Sequence, residues 1–255
     1  MADMLVYLYA VGGAALRAVF PVGLTGVGGA PVRVLITDRL AAVVSSVDPL
    51  QFGVEPLRRN LEDLPWLAAT ARAHHAVIDA VWRSEPVAPL RLATVYLDDD
   101  NVRTLLHTRE AAFLAVLDRI RGRQEWGVKA FAVSLPESDA GEDGDDAELG
   151  PGAAYLLRKR EVRDRTSRLR RKVHGAAEDL HRLLTGSAQD SRRYALQDPR
   201  LPGRPSDLVL NAAYLVEDAS SAAFRSALDG YLSPYIRVEL TGPWAPYSFA
   251  TLEEP

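Results

Sequence analysis

The stretch after Gly122 constrains the fold most, because its segments follow one another in a recognisable order. The sequence predicts strands at residues 124–135, 207–216 and 235–241 and a short candidate strand at 192–197, and helical spacing predicts helices at 153–185 and 220–232. The order is strand, helix, strand, strand, helix, strand, which is the ferredoxin-like βαββαβ arrangement. We therefore expect a modified ferredoxin-like domain over residues 123–255, with residues 136–151 inserted before its first helix.

Residues 1–122 predict a separate α+β domain. Strands are expected at residues 4–11, 32–37, 40–47 and 90–96, and helices at 63–85 and 98–122. The first of these helices is expected to turn Trp66, Leu67, His74 and Ile78 towards the core. The fold class is thus α+β with two domains, the first built on a mixed or antiparallel sheet, and each with its helices on one face of its sheet.

The charge of the chain is distributed unevenly. The net charge is −4, but residues 136–149 carry seven acids and no base, which leaves +3 for the rest. Residues 158–172 are strongly basic. Adjacent acidic and basic blocks of this kind are typical of a flexible, solvated tether followed by a charged helix face. The alternative is that residues 158–172 form a nucleic-acid-binding helix. The negative net charge and the lack of interleaved aromatic residues argue against this alternative, so we expect no nucleic-acid partner.

Composition excludes several classes of site and location. The chain has no cysteine, which excludes disulfides, thiolate metal sites and cysteine nucleophiles and is typical of a reducing compartment. The apolar run at residues 4–11 lacks the basic lead and the length of a signal peptide. No apolar stretch reaches the ~18 to 20 residues that a bilayer span needs. The sequence predicts a cytoplasmic protein that does not bind a lipid membrane.

Residue groups that resemble catalytic or binding motifs have simpler explanations. The glycine-rich residues 23–29 lack the third glycine of a dinucleotide loop and the lysine of a phosphate loop, which favours a turn. Asp98, Asp99 and Asp100 could bind Mg²⁺, but three acids before a helix are expected from capping and the helix dipole. Ser45 and Ser46 lie in an apolar strand rather than in a nucleophile elbow.

Three residues on the long helix have the spacing of metal ligands. His174, Glu178 and His181 share one face of a helix, at a spacing that a metal could use. The face lies beside the apolar stripe, at the solvent edge, so a surface pair of side chains is the favoured interpretation. The sequence therefore predicts no catalytic residue, no cofactor and no metal site.

The C-terminal residues 240–249 combine prolines and aromatic residues at the end of the last strand. Trp244, Pro246, Tyr247 and Phe249 are the candidate partner-binding residues. One interpretation is that they fold back over the sheet of the second domain or over the seam between the domains. The other is that they form an exposed apolar patch for a partner, because aromatic residues supply most of the binding energy of interfaces.

The same segment, together with four others, resembles the gas vesicle protein GvpL/GvpF family. The other segments are residues 60–67, 71–74, 87–94 and 125–129, which occur in the order of the family. The chain departs from the usual pattern at Ala245 and Leu92. The resemblance implies two α+β domains, the second ferredoxin-like, in a minor structural or assembly protein of gas vesicles in the cytoplasm. It also implies binding to the hydrophobic shell protein and to other gas vesicle proteins.

A ferredoxin-like small-ligand binder or an enzyme of unknown chemistry is the alternative. The fold hosts many functions and so decides little by itself. A deep pocket lined by polar groups would favour this alternative, whereas an apolar surface would favour assembly.

Overall fold

The computed structural model describes residues 4–133, 151–196 and 207–251. The acidic tether predicted at 136–151 lies outside these residues except for Pro151, which begins a helix. The chain divides into two compact units: unit 1 is residues 1–125 with 243–255, and unit 2 is residues 126–242.

This division differs from the predicted boundary between residues 122 and 123, and it assigns the tail from residue 243 to unit 1 rather than to the second domain. The physical reason is that residues after the last strand bury apolar side chains in the core of unit 1, as Ala245 does. Periodicity along a sequence does not reveal which of two cores will receive a short apolar segment.

Unit 1 is built on one antiparallel sheet. Its strands are β1 (Leu5–Gly13), β2 (Val32–Ile36), β3 (Leu40–Val47), β4 (Val87–Pro89) and β5 (Val95–Tyr96). The sheet order is β2-β3-β1-β4, and β5 also pairs with β1. Its helices are α1 (Leu16–Val19), α2 (Pro49–Phe52), α3 (Val54–Asn60), α4 (Leu64–Trp82), α5 (Asp99–Thr108) and α6 (Glu110–Ile120). Each of these strand pairs is antiparallel, so of the two predicted possibilities, a mixed or an antiparallel sheet, the antiparallel one is correct.

Strand β1 is buried on both faces. All residues from Val6 to Val11 are at most 3% exposed, which means that both sets of alternating side chains are covered. Helix α4 contributes Val77, Ile78 and Val81 to one core cluster, whereas α5 and α6 contact the same sheet and share no residue with that cluster. The prediction that the helices lie on one face of the sheet was therefore wrong for unit 1.

Three local predictions in unit 1 also needed correction. Of the strand predicted at 90–96, only Val95–Tyr96 (β5) is formed; β4 lies before the predicted range, and Ala93 adopts a positive φ of 64° between the two strands. The helix predicted at 98–122 is broken at Arg109 into α5 and α6. Helices α1, α2 and α3 were not predicted, because each is too short to show a periodic apolar stripe.

The residues of unit 2 that the structure describes form a four-stranded sheet and two α-helices. Along the chain come β6 (Arg123–Ala132), α7 (Pro151–Thr185), β7 (Asp190–Arg193), β8 (Leu208–Glu217), α8 (Ser221–Asp229) and β9 (Ile236–Trp244). The sheet order is β7-β8-β6-β9, and β7 pairs with β8 in antiparallel register. The element order is the predicted one. Strand β6 begins, and strand β9 ends, with residues that belong to unit 1.

Among the α7 side chains that the structure describes, residues 159–185, the buried ones lie in the C-terminal half of the helix. Its fully buried residues Ala177, Leu180 and Leu184 belong to the core of unit 2, and Phe224 of α8 lies in the same cluster. Helical spacing of the apolar residues predicts a narrow buried stripe through Val162, Leu169, Val173, Leu180 and Leu184, but Val162 is 65% exposed. The stripe is therefore present from Leu169 to Leu184 and does not include Val162.

Candidate functional site in the C-terminal segment

Residues 243–251, here called the C-terminal segment, pack into unit 1. After Trp244 the chain turns, with the Tyr247 N–H donating to the Ala245 carbonyl at 2.7 Å. Ala245 and Phe249 are 1% and 3% exposed. Ala245 lies in the core cluster of β1, β3 and α4, and Tyr247 packs against it. The segment is thus a part of the folded unit and not a free tail.

A buried carboxylate holds the segment in place. Glu125 of β6 is 8% exposed, and its two carboxylate oxygens accept hydrogen bonds from the Ser248 N–H at 2.7 Å and the Ser248 hydroxyl at 2.6 Å. Hydrogen bonds to a charged acceptor are roughly twice as strong as neutral ones. Sequence analysis did not single out Glu125 as a functional residue, although an acidic residue inside an apolar strand was a usable signal.

His75 of α4 contacts two aromatic rings of the segment, those of Trp244 and Tyr247. Its ring centroid is 5.3 Å from that of Trp244 and 6.0 Å from that of Tyr247, and its Nδ1 is 3.2 Å from the Tyr247 hydroxyl. Burial, followed by the nearby Asp79, raises the pKa of Tyr247, so the phenol keeps its proton at neutral pH. His75 therefore links the Trp244 and Tyr247 rings into one aromatic cluster, with an edge-on contact to Trp244 and a stacked contact to Tyr247.

Trp244 is the exposed residue of this aromatic cluster and of the C-terminal segment's predicted partner-binding residues. The side chain is 39% exposed, whereas Pro246 and Phe249 are buried and Tyr247 is half-buried. The Arg119 guanidinium lies 6.0 Å from the centroid of the Phe249 ring and covers it from outside. The structure therefore brings the four predicted residues together, but it leaves the indole of Trp244 as the large apolar surface open to solvent.

A polar network inside unit 1 escaped sequence analysis. The Tyr7 hydroxyl accepts from the Ala93 N–H at 2.9 Å and lies 3.0 Å from His74 Nδ1. Burial lowers the pKa of His74 to about 4, and the Leu90 carbonyl partly offsets this effect. His74 is 4% exposed, as predicted for a core residue, and is therefore neutral at pH 7. A neutral, enclosed histidine stabilises the fold without meeting a solvent-borne substrate.

The glycine-rich turn is explained by a second buried tyrosine. The Tyr9 hydroxyl donates to Ser45 Oγ at 3.1 Å and accepts from the Val27 N–H at 2.9 Å. A Cβ atom at Gly26 would lie 2.0 Å from that hydroxyl, and Gly28 adopts a positive φ of 61°. The turn interpretation of residues 23–29 is therefore supported by a steric requirement for glycine.

The acidic triplet is used locally. Asp98 caps α5 by accepting from the Asn101 N–H at 2.8 Å, and Asp99 holds both terminal nitrogens of Arg33 at 2.6 and 3.0 Å. Asp100 pairs with Arg103 at 2.7 Å. Capping by Asp98 was predicted from the sequence, whereas the ion pairs of Asp99 and Asp100 with Arg33 and Arg103 were not.

The metal-spaced trio of α7 is divided among other partners. Glu178 receives Arg193 through two hydrogen bonds of 2.6 and 3.0 Å, and His181 Nδ1 lies 2.7 Å from the Tyr214 hydroxyl. Hydrogen bonding to Arg193 lowers the pKa of Glu178, and burial lowers the pKa of His181. His174 is exposed. Among the residues that the structure describes, no group of three or more His, Asp or Glu side chains is arranged to hold a metal ion.

The basic block of α7 forms a solvated face. From residue 159 to 172 nearly all positions are exposed. Lys172 alone of the block is found over an aromatic ring in the described part of the chain, 5.4 Å from the Tyr235 ring centroid. Within residues 4–133, 151–196 and 207–251, no helix combines the length and apolar character of a membrane span.

Comparison with known sequences places these features in a family context. The profile of the family described as "Gas vesicle synthesis protein GvpL/GvpF" matches residues 5–251. Gas vesicle protein L of Streptomyces sp. (strain CB03234) is 43% identical over 253 residues, which cover 99% of this chain and 95% of that protein. Gas vesicle protein F of the same strain is 28% identical over 86% of this chain and 87% of its own length.

Solved structures agree with the fold. The crystal structure of GvpF from Anabaena sp. PCC7120 matches with a TM-score of 0.67 and 20% identity over 98% of both chains. That of GvpF from Microcystis aeruginosa matches with a TM-score of 0.64 and 21% identity over 98% of this chain and 100% of the other. At these identities the likeness establishes the α+β fold.

Proposed function

The chain belongs to the GvpL/GvpF family of gas vesicle synthesis proteins, and on that premise we propose that it acts by binding the hydrophobic shell protein while vesicles are assembled. The membership gives the chain a role in gas vesicles. The proposal adds the step: this protein is a minor structural or assembly component that contacts the shell protein and other gas vesicle proteins at the vesicle in the cytoplasm. In this proposal the role involves no catalysis, cofactor, nucleic acid or lipid membrane.

One observation carries the proposal: Trp244 is exposed at the end of a segment whose other large side chains are held in the protein. The 39% exposed indole is fixed from one side by His75, while Glu125 and Ser248 hold the residues that follow. A rigid aromatic side chain loses little conformational freedom on binding, and tryptophan is enriched among the residues that dominate interfaces. A partner with an exposed apolar surface is the natural complement of such a side chain.

The other three predicted residues take a supporting role in this proposal. Pro246 and Phe249 are buried, and Tyr247 is half-buried with its hydroxyl directed to His75. We infer that they position Trp244 rather than contribute most of the contact area themselves.

The test is capture of the purified shell protein by immobilised protein, with Trp244→Ala compared to wild type. We expect the variant to bind about tenfold more weakly or worse, because truncating a central interface tryptophan typically costs ~2 kcal/mol or more. Tyr194→Ala is the matched control, since Tyr194 is an aromatic residue of unit 2 that is 41% exposed. Circular dichroism and melting separate lost binding from lost folding.

Three results would contradict the proposal in different ways. Equal capture by wild type and Trp244→Ala would exclude Trp244 as the contact. Failure of the wild-type protein to capture the shell protein would exclude shell binding itself. Unfolding of Trp244→Ala would make the C-terminal segment a structural seal, in which case the more conservative Trp244→Phe should still bind the shell protein weakly if the proposal is correct.

We also propose that unit 2 is a ferredoxin-like domain. The order β-α-β-β-α-β along the chain supports this, as does the sheet order β7-β8-β6-β9, which places the first and third strands of the unit side by side in the centre. An experimental structure with a different strand order would contradict it.

A further inference from the structure

Strand β2 forms an open edge of the sheet in unit 1. It pairs with β3 on one side and ends the sheet order on the other. The Thr37 N–H donates to the Leu40 carbonyl to close the hairpin. Because alternate residues of an antiparallel strand bond to the same neighbour, Leu35 and Arg33 also bond to β3. The N–H and C=O groups of Val34 and Ile36, the residues between these, therefore point away from β3.

One neighbour supports this assignment and also limits the open edge. Val32 has the same orientation as Val34, and its N–H donates at 2.9 Å to the Leu24 carbonyl outside the sheet. In the part of the chain that the structure describes, the outward main-chain groups of Val34 and Ile36 have no such partner. An uncovered strand edge is a template for another strand, and proteins usually block such edges.

An open depression lies beside β2, and most of the residues that line it are apolar. It is lined by Arg17, Phe20, Val22, Val34, Leu35, Ile36 and Arg103. Val22 is fully exposed and Ile36 is 37% exposed. Exposed apolar side chains beside unpaired main-chain groups are the two components of recognition by strand addition, in which the main chain supplies affinity and alternate side chains supply specificity.

The two arginines define the charge of the occupant. Arg17 has no ion pair within the described residues. Arg103 pairs with Asp100, whose side chain is 88% exposed, and such exposed pairs contribute little. A carboxylate on the bound segment would accept two hydrogen bonds from one guanidinium. The depression is therefore complementary to an acidic segment rather than to a basic one.

We propose that the β2 edge binds an extended segment of a partner protein as an additional strand, with apolar side chains at alternate positions and a carboxylate directed to Arg17. The segment pairs with the main chains of Val34 and Ile36 and covers Val22. The proposal deepens the proposed function by naming a second contact surface, and it rests on that function only for the natural source of the segment.

A designed peptide tests the edge without any gas vesicle protein. The probe is a fluorescent peptide of about six residues, a common strand length, in which valine and threonine alternate and one end carries aspartate. We expect fluorescence anisotropy to detect binding to the wild-type protein and a loss of about tenfold or more in the variant Val22→Lys/Ile36→Lys, since edge lysines block strand pairing. Leu50→Lys/Val54→Lys is the matched control, because these side chains of unit 1 are 78% and 85% exposed and lie outside the depression.

A charge exchange and hydrogen exchange distinguish strand addition from other contacts. The Arg17→Glu variant should bind the aspartate peptide more weakly than wild type does. It should bind a peptide with lysine in place of the aspartate more tightly than wild type does. Bound peptide should slow hydrogen exchange at the Val34 and Ile36 amides, since both become donors in the new pairing. Absence of binding, equal losses in the control, or unchanged exchange at both amides would overturn the proposal.

Two further outcomes are separable. Size-exclusion chromatography tests whether wild type self-associates. If it does and Val22→Lys/Ile36→Lys abolishes the association, the edge binds a second copy of this chain and the proposed partner is wrong. If the peptide fails to bind while the protein captures the shell protein through Trp244, the edge proposal fails and the proposed function stands. If the peptide binds but the shell protein does not, the reverse holds.

Discussion

Each unit brings a tyrosine and a histidine within hydrogen-bond distance, but only unit 1 encloses the pair. Tyr7 and His74 are 3.0 Å apart and at most 4% exposed. Tyr214 is buried too, but its partner His181, at 2.7 Å, is half-buried beside the ion pair of Glu178 and Arg193. The same pair of side chains therefore lies in different surroundings in the two units. The comparison indicates that burial of the histidine, and not its contact with tyrosine, makes the stability of the fold depend on its protonation.

The difference follows from how each strand is covered. Tyr7 lies on β1, the strand that is buried on both faces, and α4 brings His74 over it. Tyr214 lies on β8 and meets α7 at a position where that helix still borders water. Burial disfavours the charged form of a histidine, so the pKa falls furthest where the helix closes the site.

The largest effect is expected from opening the enclosed side. Ile78→Ala removes a fully buried side chain one turn from His74 on α4 and should lower the free energy of unfolding by ~2 to 4 kcal/mol, because it leaves a cavity. Urea denaturation of the variant and of wild type measures this. Leu64→Ala, on the same helix but at a position that is 74% exposed, should change the value by less than ~0.5 kcal/mol. An Ile78→Ala variant as stable as wild type would mean that this face of α4 is not the core.

The next effect is a pH dependence that belongs to His74. Its folded pKa of about 4 lies below the unfolded value of about 6.5, so between these values the unfolded chain binds a proton that the folded chain does not. Stability from this residue is complete above pH ~6.5 and falls as pH falls to about 4, by ~3 kcal/mol in all. Urea denaturation at intervals from pH 8 to 4 should therefore give a flatter profile for His74→Gln than for wild type.

His181 supplies the contrast for that measurement. Burial and Arg193 lower its pKa, but Glu178 opposes them and the side chain is half-buried. His181→Gln should consequently change the slope of the pH profile less than His74→Gln does. If the two substitutions flatten the profile equally, enclosure is not what distinguishes the two pairs.

A smaller effect is expected from releasing the C-terminal segment. Glu125→Ala leaves the buried Ser248 N–H and hydroxyl without this acceptor, which should cost ~1 to 3 kcal/mol of stability. The change should also expose the segment, so limited proteolysis should cut near Ser248 faster in the variant. Glu125→Gln keeps one acceptor oxygen and should be affected less. Proteolysis at the wild-type rate in Glu125→Ala would mean that the carboxylate does not hold the segment.

Sequence reasoning recovered the elements whose apolar pattern is periodic. Strands β1 to β3, helix α4 and the order of unit 2 follow from such patterns, and the burial of His74 and Ile78 was predicted from their position on one face of α4. It missed what depends on distant partners. The positive φ of Ala93 is tied to the Tyr7 hydroxyl 86 residues away, and no local pattern could indicate it.

The candidate site was predicted in part for the same reason. The aromatic and proline residues of the C-terminal segment are conspicuous in the sequence, but its anchor Glu125 is 123 residues from Ser248. The sequence therefore pointed to Trp244, Pro246, Tyr247 and Phe249 together, while only packing separates the exposed indole from the buried side chains. The openness of the β2 edge likewise depends on the sheet order.

Vesicle formation in a host that makes the other gas vesicle proteins but lacks this one tests the central claim most directly. Vesicles would be counted by electron microscopy in cells that express wild type, Trp244→Ala or Tyr194→Ala at equal levels. We predict that wild type and Tyr194→Ala restore vesicles, whereas Trp244→Ala gives about a tenth of the wild-type number or fewer while the purified variant melts near wild type. Wild-type vesicle numbers with Trp244→Ala would contradict the claim that this exposed indole is the contact on which assembly depends.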